Sequence, residues 1–420
     1  MYARKRLDIS YADIAAGIGA SLFARDPAPH AAAIERWFSA EGAAPSALAT
    51  LSVRSGFDLY LRVLALPRGS EVLCSALTIP DMWRVIEHHG LVPVPIDVDP
   101  ATLAPRLELM QQALTPRTKL ILIAHIFGTR APLAPYARLA REHGLLLLED
   151  DAQSFTDFDF KGDPDADVCM FSFGPIKTAA ALQGGVLVVR DRAVLAAMRA
   201  IHDAYPPSFA RPYALRLLKY AGLKLVSTRL GYSAFVAYCH ARGKSHDQVI
   251  QGSVRGFSGG DFFEKIRHRP SAALCALLRR RLEQADGRRV RQRTDKALRL
   301  RTLLGSTYEI PGGKALIHSY WVFTILADEP DRVVAALAEA GFDATRVATM
   351  KSVPTPPGRE DLAPKEALSI LERLIYLPVY PELPERALAR LAETLLAVRR
   401  PARSTSSDPA HANARASARA

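Results

Sequence analysis

The chain has 420 residues, of which 49% are apolar and 23% charged, so it can bury a substantial core and is not expected to be disordered throughout. Its net charge is +12, and no run of eighteen uncharged apolar residues predicts a membrane-spanning helix. The cysteines form no Cys-x-x-Cys pair, so we expect no metal site. They favour reduced, buried thiols in a cytoplasmic protein.

Short apolar runs alternate with helix-like stretches between residues 52 and 189. This alternation predicts a mainly parallel sheet with helices on both faces. Such sheets bind ligands beyond the carboxyl ends of their strands, so Asp150 and Ser172, which end two of the runs, are candidate site residues. The strand-like runs are 71–74, 92–97, 119–124, 145–150, 168–173 and 185–189, and the helix-like stretches are 81–89, 107–114 and 132–143.

A basic and helical region follows. Between residues 201 and 305, 21 Lys and Arg stand against 7 Asp and Glu. The segment from Arg211 to Leu230 interleaves basic side chains with leucines and aromatic residues, as a helix lying on an anionic membrane does. An ordinary covering helix whose basic side chains reach water is the alternative. No nucleic-acid motif accompanies the charge, so nucleic acid is not expected as a partner.

The C-terminal region has the pattern of a small α+β domain, with a strand from Tyr320 to Leu326 and helices at 332–340 and 387–398. From Arg399 onward no large apolar residue occurs. We therefore expect three parts: a large domain over 1–265 with a basic helical insertion at about 206–250, a small domain with a connecting helix over 266–398, and a disordered tail over 399–420.

Two residues have the chemistry that pyridoxal phosphate (PLP) requires. Lys177 lies in a Gly-Pro turn after an apolar strand, where an apolar cleft would lower its pKa and make it a nucleophile; an isolated loop lysine is more often solvated. Asp150 ends a buried strand and needs a partner, such as a protonated pyridine nitrogen, unless it caps the next segment.

A phosphate seat is predicted where a helical run follows Ser55 and Gly56. Glycine permits a turn, and the amides at the start of a helix attract phosphate, although a serine-capped helix has the same pattern. Ser172 would add a hydroxyl group to this seat. Gln153, three residues after Asp150, could reach the phenolic oxygen of the PLP ring.

In this order, the motifs resemble those of the DegT/DnrJ/EryC1/StrS aminotransferases, fold type I PLP enzymes that usually aminate keto-sugars attached to nucleotides. The resemblance runs from about Ser52 to Leu396. It rests on Ser55-Gly56, the segments starting at Gly69, Gly90, Leu114, His125 and His143, Glu149 to Gln153, Phe171 to Lys177, Gly184-Gly185 and the segment starting at Leu377.

The resemblance implies an α/β fold, with a large domain whose mostly parallel, seven-stranded-type sheet is covered by helices and a small C-terminal α+β domain. It implies transfer of an amino group from an amino acid donor, often glutamate, to a keto-sugar in nucleotide-sugar or polysaccharide biosynthesis. The implied roles are Schiff-base formation and proton transfer for Lys177, pairing with the pyridine nitrogen for Asp150, contact with the ring oxygen for Gln153, and phosphate binding for Ser55, Ser172 and the Gly56 and Phe57 amides.

Some positions depart from the family pattern. Ile79 stands where an aromatic residue commonly stacks on the PLP ring, so it offers apolar contact only, and Trp83 lies four residues further on. Phe57 replaces a threonine of the phosphate seat. Arg267 and Arg269 stand near the place of an Asn-x-Arg motif through which a neighbouring subunit helps to bind phosphate, so they are candidates for that contact.

Fold type I enzymes generally build each active site from two subunits, so the resemblance implies a homodimer. Two alternatives to an aminotransferase stay open: a PLP-dependent sugar dehydratase, and a catalytically silent relative that acts as a binding protein. Some dehydratases have histidine at the lysine position, and Lys177 disfavours that variant. The acceptor ketone, whether nucleotide-linked sugar, lipid-linked sugar or cyclitol, is not determined.

Overall fold

The computed structural model describes residues 1–39, 42, 46–244, 246–247, 249–250, 261–346 and 349–399. Among these residues, fifteen α-helices and fourteen strands are numbered here in chain order. The helices are α1 (Tyr11–Phe23), α2 (Ala28–Trp37), α3 (Val53–Leu64), α4 (Pro80–His88), α5 (Leu107–Ala113), α6 (Ala134–His143), α7 (Arg192–Asp203), α8 (Ala210–Val226), α9 (Arg229–Ala241), α10 (Phe262–Ile266), α11 (Ala272–Glu283), α12 (Arg288–Leu304), α13 (Pro330–Glu339), α14 (Lys365–Arg373) and α15 (Glu385–Arg399). The strands are β1 (Ala47–Thr50), β2 (Glu71–Ser75), β3 (Leu77–Thr78), β4 (Val92–Ile96), β5 (Thr118–Ala124), β6 (Thr129–Arg130), β7 (Leu146–Asp150), β8 (Val168–Ser172), β9 (Gly185–Val189), β10 (Ile317–His318), β11 (Phe323–Leu326), β12 (Thr345–Arg346), β13 (Lys351–Ser352) and β14 (Leu374–Leu377).

The central sheet has seven strands in the order β1-β9-β8-β7-β5-β2-β4. Strand β9 runs antiparallel to both of its neighbours, and the other pairs are parallel. The expected α/β fold with a mostly parallel sheet is therefore confirmed. Each strand-like run between residues 71 and 189 forms one of these strands.

One edge of this sheet gathers the candidate residues. Because β1, β7 and β8 run in the same direction, their carboxyl ends meet there, and β9 begins at the same place. Gly185 at the start of β9 pairs with Thr50 on one side and Ser172 on the other, and Asp150 pairs with Met170 of β8. Topology thus brings distant residues to one cleft.

Apolar side chains fill both faces of the sheet. Side chains alternate along a strand, so Leu147 packs in the cluster on one face and Leu148 in the cluster on the other. A separate cluster around Phe323 and Leu391 forms the core of the small C-terminal domain. This domain has a three-stranded antiparallel sheet in the order β11-β14-β12.

The packing changes the expected division of the chain. Helix α11, assigned to the small domain by the 265/266 boundary, packs Leu274 and Leu278 into the core of the large domain. Tyr2, in turn, stacks on Phe342 in the small-domain core at 5.4 Å between ring centres. The packing thus favours a boundary after α11, and the segment 399–420 lies outside the described residues except for Arg399.

The expected strand from Tyr320 to Leu326 is shorter in the structure, since β11 begins at Phe323. Tyr320 has a φ of +48°, a left-handed backbone conformation that cannot continue a strand. The expected burial of the cysteines is confirmed, because Cys74, Cys169, Cys239 and Cys275 are all buried and unpaired.

The amphipathic segment after residue 206 forms two helices, α8 and α9, instead of one. Tyr213, Leu217 and Tyr220 are the buried side of α8, and α8 packs on α1, α9 and α11. Within the described part of the chain, no helix is both long and apolar enough to cross a lipid bilayer.

Candidate active site

Lys177 lies in the turn between β8 and β9, and its N–H group donates to the Gly174 carbonyl at 3.1 Å. Its Nζ lies 4.1 Å from the centre of the Trp321 ring. Burial lowers the pKa of Lys177 to about 8; the charge of Asp150 opposes this shift, and that of Arg54 adds to it. The structure therefore brings a readily deprotonated amine to the cleft, as the sequence predicts.

Asp150 is buried at the carboxyl end of β7. One of its carboxylate oxygens accepts a hydrogen bond from the Ala152 N–H at 2.9 Å. Burial raises the pKa of Asp150, and the Ala152 amide and the charge of Lys177 act in the opposite direction. No lysine, arginine or histidine of the described residues forms an ion pair with this carboxylate, so a cationic group of a ligand would stabilise its charge.

Helix α3 begins at Val53, one turn earlier than expected, because the Ser52 side chain caps it. The Oγ of Ser52 accepts a hydrogen bond from the Ser55 N–H at 3.2 Å. The Gly56 N–H donates to the Ser52 carbonyl at 3.1 Å, and Phe57 is fully buried within the helix. The Gly56 amide is therefore bonded within the helix, and this geometry disfavours the predicted phosphate contact through the Gly56 and Phe57 amides.

The Ser52 side chain caps the Ser55 amide, and the Val53 amide at the start of the same turn lies at the sheet edge. Gly185 passes close by, since a Cβ atom at that position would lie 2.4 Å from the Val53 nitrogen. Gly56 serves packing, because its own Cβ would lie 2.0 Å from Leu187 Cδ1. The sequence signal for this helix start is Ser52 itself, because serine is a favoured N-cap residue whose side chain bonds the amide three residues later, here that of Ser55.

Arg54 is a site residue that the sequence reasoning missed. Its guanidinium donates to the Asp81 carboxylate at 2.6 Å, which ties the start of α3 to the first turn of α4. Ile79 immediately precedes α4 and packs, half-buried, against the apolar cluster on that face. Trp83, one turn into α4, packs against the same cluster.

Gln153, Ser172 and Thr178 line the same region. The Gln153 Oε1 accepts a hydrogen bond from the Phe127 N–H at 3.1 Å, which leaves its NH2 group as the donor for a ligand. Ser172 ends β8 and is half-buried. The Thr178 hydroxyl, next to Lys177, is buried and has no hydrogen-bond partner among the described residues. A polar ligand would satisfy it.

Arg267 and Arg269 make bonds within their own chain. Arg267 forms a two-pronged ion pair with the buried Asp58 of α3, at 2.8 and 2.9 Å. Its guanidinium also lies 3.0 Å from the His88 ring. Arg269 donates through Nε to the Tyr205 carbonyl at 2.9 Å. These contacts favour a structural role for both arginines over a contact with another subunit's phosphate.

A fully buried polar group lies behind Asp150. The His125 Nδ1 accepts a hydrogen bond from a backbone amide, so its Nε2 donates to Glu149 at 3.0 Å. Burial and the charge of Glu149 raise the pKa of Asp151 well above its ordinary value, and one oxygen of Asp151 accepts from Ser154. The atoms of His125, Glu149 and Asp151 that could bind a metal ion lie within 4.8 Å of one another. Its internal hydrogen bonds and burial favour proton sharing between the carboxyls over metal binding.

The chain is similar to known proteins both in sequence and in fold. The sequence profile of the DegT/DnrJ/EryC1/StrS aminotransferase family matches residues 20–208 and 265–396. The segment 209–264, which includes α8, α9 and the start of α10, is not matched.

Among curated relatives, 3-amino-5-hydroxybenzoate synthase of Amycolatopsis mediterranei is 34% identical over 160 residues, which are 37% of this chain and 41% of the relative. The protein EryC1 of Saccharopolyspora erythraea is 33% identical over 159 residues, which are 36% of this chain and 43% of the relative. The chain thus matches about two fifths of the length of these relatives.

Solved structures share the fold at low identity. The aminotransferase TlmJ of Streptoalloteichus hindustanus is 19% identical, with a TM-score of 0.67 over 93% of this chain and 96% of its own. PseC of Helicobacter pylori, an aminotransferase involved in pseudoaminic acid biosynthesis, is 16% identical, with a TM-score of 0.68 over 94% and 98%. NtdA of Bacillus subtilis, solved with bound cofactor PMP, is 17% identical, with a TM-score of 0.68 over 93% and 83%.

Proposed function

Because the chain belongs to the DegT/DnrJ/EryC1/StrS aminotransferase family, we propose that it is a PLP-dependent aminotransferase that moves an amino group from glutamate to a keto-sugar. The observation that carries the proposal is the placement of Lys177 and Asp150 at one sheet edge. There, the amine of Lys177 has a pKa of about 8, and its charge opposes the rise that burial causes in the pKa of Asp150. This pair is what a lysine-bound pyridine cofactor requires.

The residues at the sheet edge fit PLP. Lys177 would hold the aldehyde carbon, and Asp150, which forms no ion pair with the described residues, would pair with the pyridine nitrogen. The amides in the first turn of α3 and the Ser172 hydroxyl would hold the phosphate, in place of the Gly56 and Phe57 amides. The NH2 group of Gln153 would donate to the ring oxygen, and Ile79 would offer apolar contact.

Bound PLP supplies an electron sink that weakens bonds at the amino-bearing carbon of a substrate. The chain contributes proton transfer and orientation. Lys177 Nζ, deprotonated above a pH of about 8, would take the proton that leaves the donor carbon and later return one. Asp150 would keep the ring nitrogen protonated. Trp321, whose ring centre lies 4.1 Å from Lys177 Nζ, would shield the amine from water.

The test is a spectroscopic half-reaction. Purified protein mixed with PLP should acquire the visible band of lysine-bound cofactor, and glutamate without acceptor should remove it. Screening keto-sugars, cyclitol ketones and lipid-linked ketones for recovery of the band would identify the acceptor. Lys177→Ala should never acquire the band, whereas the exposed control Lys365→Met should match the wild type. A protein that binds no PLP would contradict the proposal and indicate a silent relative. A band that glutamate leaves unchanged while a sugar loses water would indicate a dehydratase.

We also propose that the protein is a homodimer, as the family resemblance implies. Sedimentation equilibrium of the full chain should give twice the mass of 45.9 kDa. A monomer that still binds PLP would contradict this point alone.

The third part of the proposal concerns location. We propose that the protein works in the cytoplasm and contacts a membrane surface through residues 206–240. Residues 204–244 contain seven Lys or Arg and no Asp or Glu. On α8, Leu215, Leu218 and Leu225 are exposed on one face, and the end of α1, which packs on α8, exposes Phe23. We call these four residues, together with the exposed Leu230, the basic apolar face. Apolar side chains with flanking cations suit an anionic lipid surface.

A second copy of the chain is a less favourable occupant of this face. In a two-fold interface the same patch meets itself, so Arg211 and Arg229 would face like charges.

The test of the membrane contact is co-sedimentation with lipid vesicles. The wild-type protein should co-sediment with phosphatidylserine vesicles at low salt and be released by high salt. The triple variant Leu215→Ser, Leu218→Ser, Leu225→Ser should stay in solution, whereas the matched control Leu316→Ser should still bind. No wild-type binding at low salt, or conversion of a dimer to a monomer in the triple variant, would overturn this part.

A further inference from the structure

Two lysine side chains, Lys5 and Lys177, meet at the indole ring of Trp321, and Arg293 lies near Lys5. Lys177 Nζ lies 4.1 Å from the ring centre, and Lys5 Nζ lies 3.9 Å from it, so the two ammonium groups are no more than 8.0 Å apart. Lys5 also donates to the Trp321 carbonyl at 3.2 Å. Arg293 donates through Nε to the Ser319 carbonyl at 3.2 Å, and its charge acts on Lys5. We call Lys5, Arg293 and Trp321 the indole cluster.

The cations of the indole cluster have no carboxylate partner among the residues that the structure describes. In the described part of the chain, no carboxylate forms an ion pair with Lys5, Lys177 or Arg293. Asp8, which acts on both Lys5 and Arg293, is instead paired with Arg281 and Arg289, at 3.4 and 3.0 Å. The Nη2 atom of Arg293 is buried without a hydrogen-bond partner among these residues.

Such a cluster is unfavourable by itself. Burial, and then the charges of Arg293 and Lys177, lower the pKa of Lys5 well below its ordinary value. Burial lowers the pKa of Arg293 to about 10. Like charges enclosed in one place repel one another, and an anion between them would relieve the repulsion and the missing hydrogen bond together.

The backbone on both sides of Lys5 is anchored, so its side chain is held at this place. The Tyr2 N–H donates to the Gly341 carbonyl at 2.7 Å, and Arg4 forms a two-pronged ion pair with Asp343. On the other side, the Asp8 carboxylate accepts a hydrogen bond from the Ala179 N–H at 3.2 Å, two residues after Lys177. The N-terminal segment therefore runs past the site.

We propose that Lys5 and Arg293 form an anion subsite beside Lys177 that binds a carboxylate or phosphate group of a substrate. The Lys5 donors that its bond to the Trp321 carbonyl leaves over and the unpartnered Nη2 of Arg293 supply hydrogen bonds to anionic oxygens, and the Trp321 ring supplies an apolar wall. The subsite rests on the proposed function, in which both substrates are anionic: the donor is a dicarboxylate, and a nucleotide-linked acceptor contains a diphosphate. Lys5 lies outside the segments that the family profile matches.

The test measures anion binding by calorimetry, without turnover. The probes are glutarate, which represents the donor carboxylates, and UDP, which represents the acceptor phosphates. Lys5→Met and Arg293→Gln should each bind at least one probe about tenfold more weakly than the wild type does. Loss of glutarate binding assigns the subsite to the donor, and loss of UDP binding assigns it to the acceptor. Lys5→Arg should keep the affinity, and the exposed control Lys365→Met should match the wild type.

Two outcomes would overturn the subsite. One is unchanged affinity of both variants for both probes. The other is a tenfold loss of PLP affinity, since the anion would then be the phosphate of the cofactor. A wild-type protein that takes up no PLP but binds UDP or glutarate through Lys5 and Arg293 would contradict the proposed aminotransferase and leave the subsite standing. The two proposals thus fail separately.

Discussion

Lys177 Nζ lies 4.1 Å from the centre of the Trp321 ring, and the indole N–H of Trp321 donates to the Ile176 carbonyl at 3.0 Å. The tryptophan is therefore bonded to the residue that precedes the lysine, although the two are 145 positions apart in the chain. The Trp321 ring thus packs beside the amine, and we expect this packing to contribute to the burial that lowers the pKa of Lys177.

We expect the rate of PLP incorporation to rise with pH and to level off above a midpoint of about 8, because only the neutral amine attacks the aldehyde. Trp321→Ala should move this midpoint upward, since water would reach the ammonium group, whereas Trp321→Phe should keep it nearer to 8. The measurement is stopped-flow absorbance of the protein mixed with PLP over a pH series. A wild-type midpoint near 10 would show that the cleft does not bury Lys177.

The same pKa shift affects stability. In the unfolded chain lysine titrates near its ordinary value of 10.5, whereas in the folded protein it titrates at about 8. Between these values the unfolded state holds more protons, so the contribution of Lys177 to stability should increase as the pH rises from about 8 to 10.5. Lys177→Met should lack this increase when cofactor-free protein is unfolded in urea at each pH.

Gly56→Ala should destabilise the protein by about 1–3 kcal/mol, because the new Cβ would lie 2.0 Å from Leu187 Cδ1 and the fully buried Leu187 side chain would have to shift. The matched control is Gly222→Ala on the exposed face of α8, where nothing lies within 4 Å of the new Cβ. That change should stabilise the protein by about 0.5–1 kcal/mol through helix propensity. Urea unfolding compares the two, and equal effects would show that Gly56 is not close-packed.

Asp151→Asn should become more stable relative to the wild type as the pH rises from about 4 to 7. The pKa of Asp151 is raised by burial and by Glu149, so the folded protein holds a proton that the unfolded chain loses above its ordinary value of 3.8. The contribution of Asp151 to stability therefore falls with pH in this window, and asparagine, which cannot ionise, removes this loss. The gain should be about 1 kcal/mol or more at pH 7.

Asp343→Asn is the control for this prediction. Although burial raises the pKa of Asp343, hydrogen bonding to His246 and the ion pair with Arg4 lower it overall. Its stabilising contribution is present above pH 3.8 and lost in acid, so the asparagine variant should lose stability at neutral pH. If both variants shifted in the same direction, the proton assignment at Asp151 would be wrong.

Arg267→Ala should destabilise the protein by about 3 kcal/mol, because it leaves the buried Asp58 carboxylate with only the His89 ring as a partner. Its affinity for PLP, measured by equilibrium dialysis, should stay within about twofold of that of the wild type. A twofold change corresponds to the smallest free energies measured for exposed ion pairs. A large loss of PLP affinity with unchanged stability would instead support the contact with a neighbouring subunit's phosphate.

The local sequence pattern by itself predicted six of the seven strands of the central sheet, all but β1, together with Lys177 after β8 and Asp150 at the end of β7. These features depend on alternation within a few residues and on the rule that parallel strands end at one sheet edge. It misplaced the start of α3, because Ser52 and Ser55 are both good capping residues and the choice between them depends on how the helix packs on β9.

Only the tertiary structure brought Lys5, Arg54, Arg293 and Trp321 to the site. None of them lies in a recognisable motif, and Lys5 meets Trp321 across 316 positions of the chain. Their importance comes from electrostatics at close range, where burial and neighbouring charges change what a side chain can do. A sequence lists the charges, but distance and burial decide which of them interact, and both are properties of the folded chain.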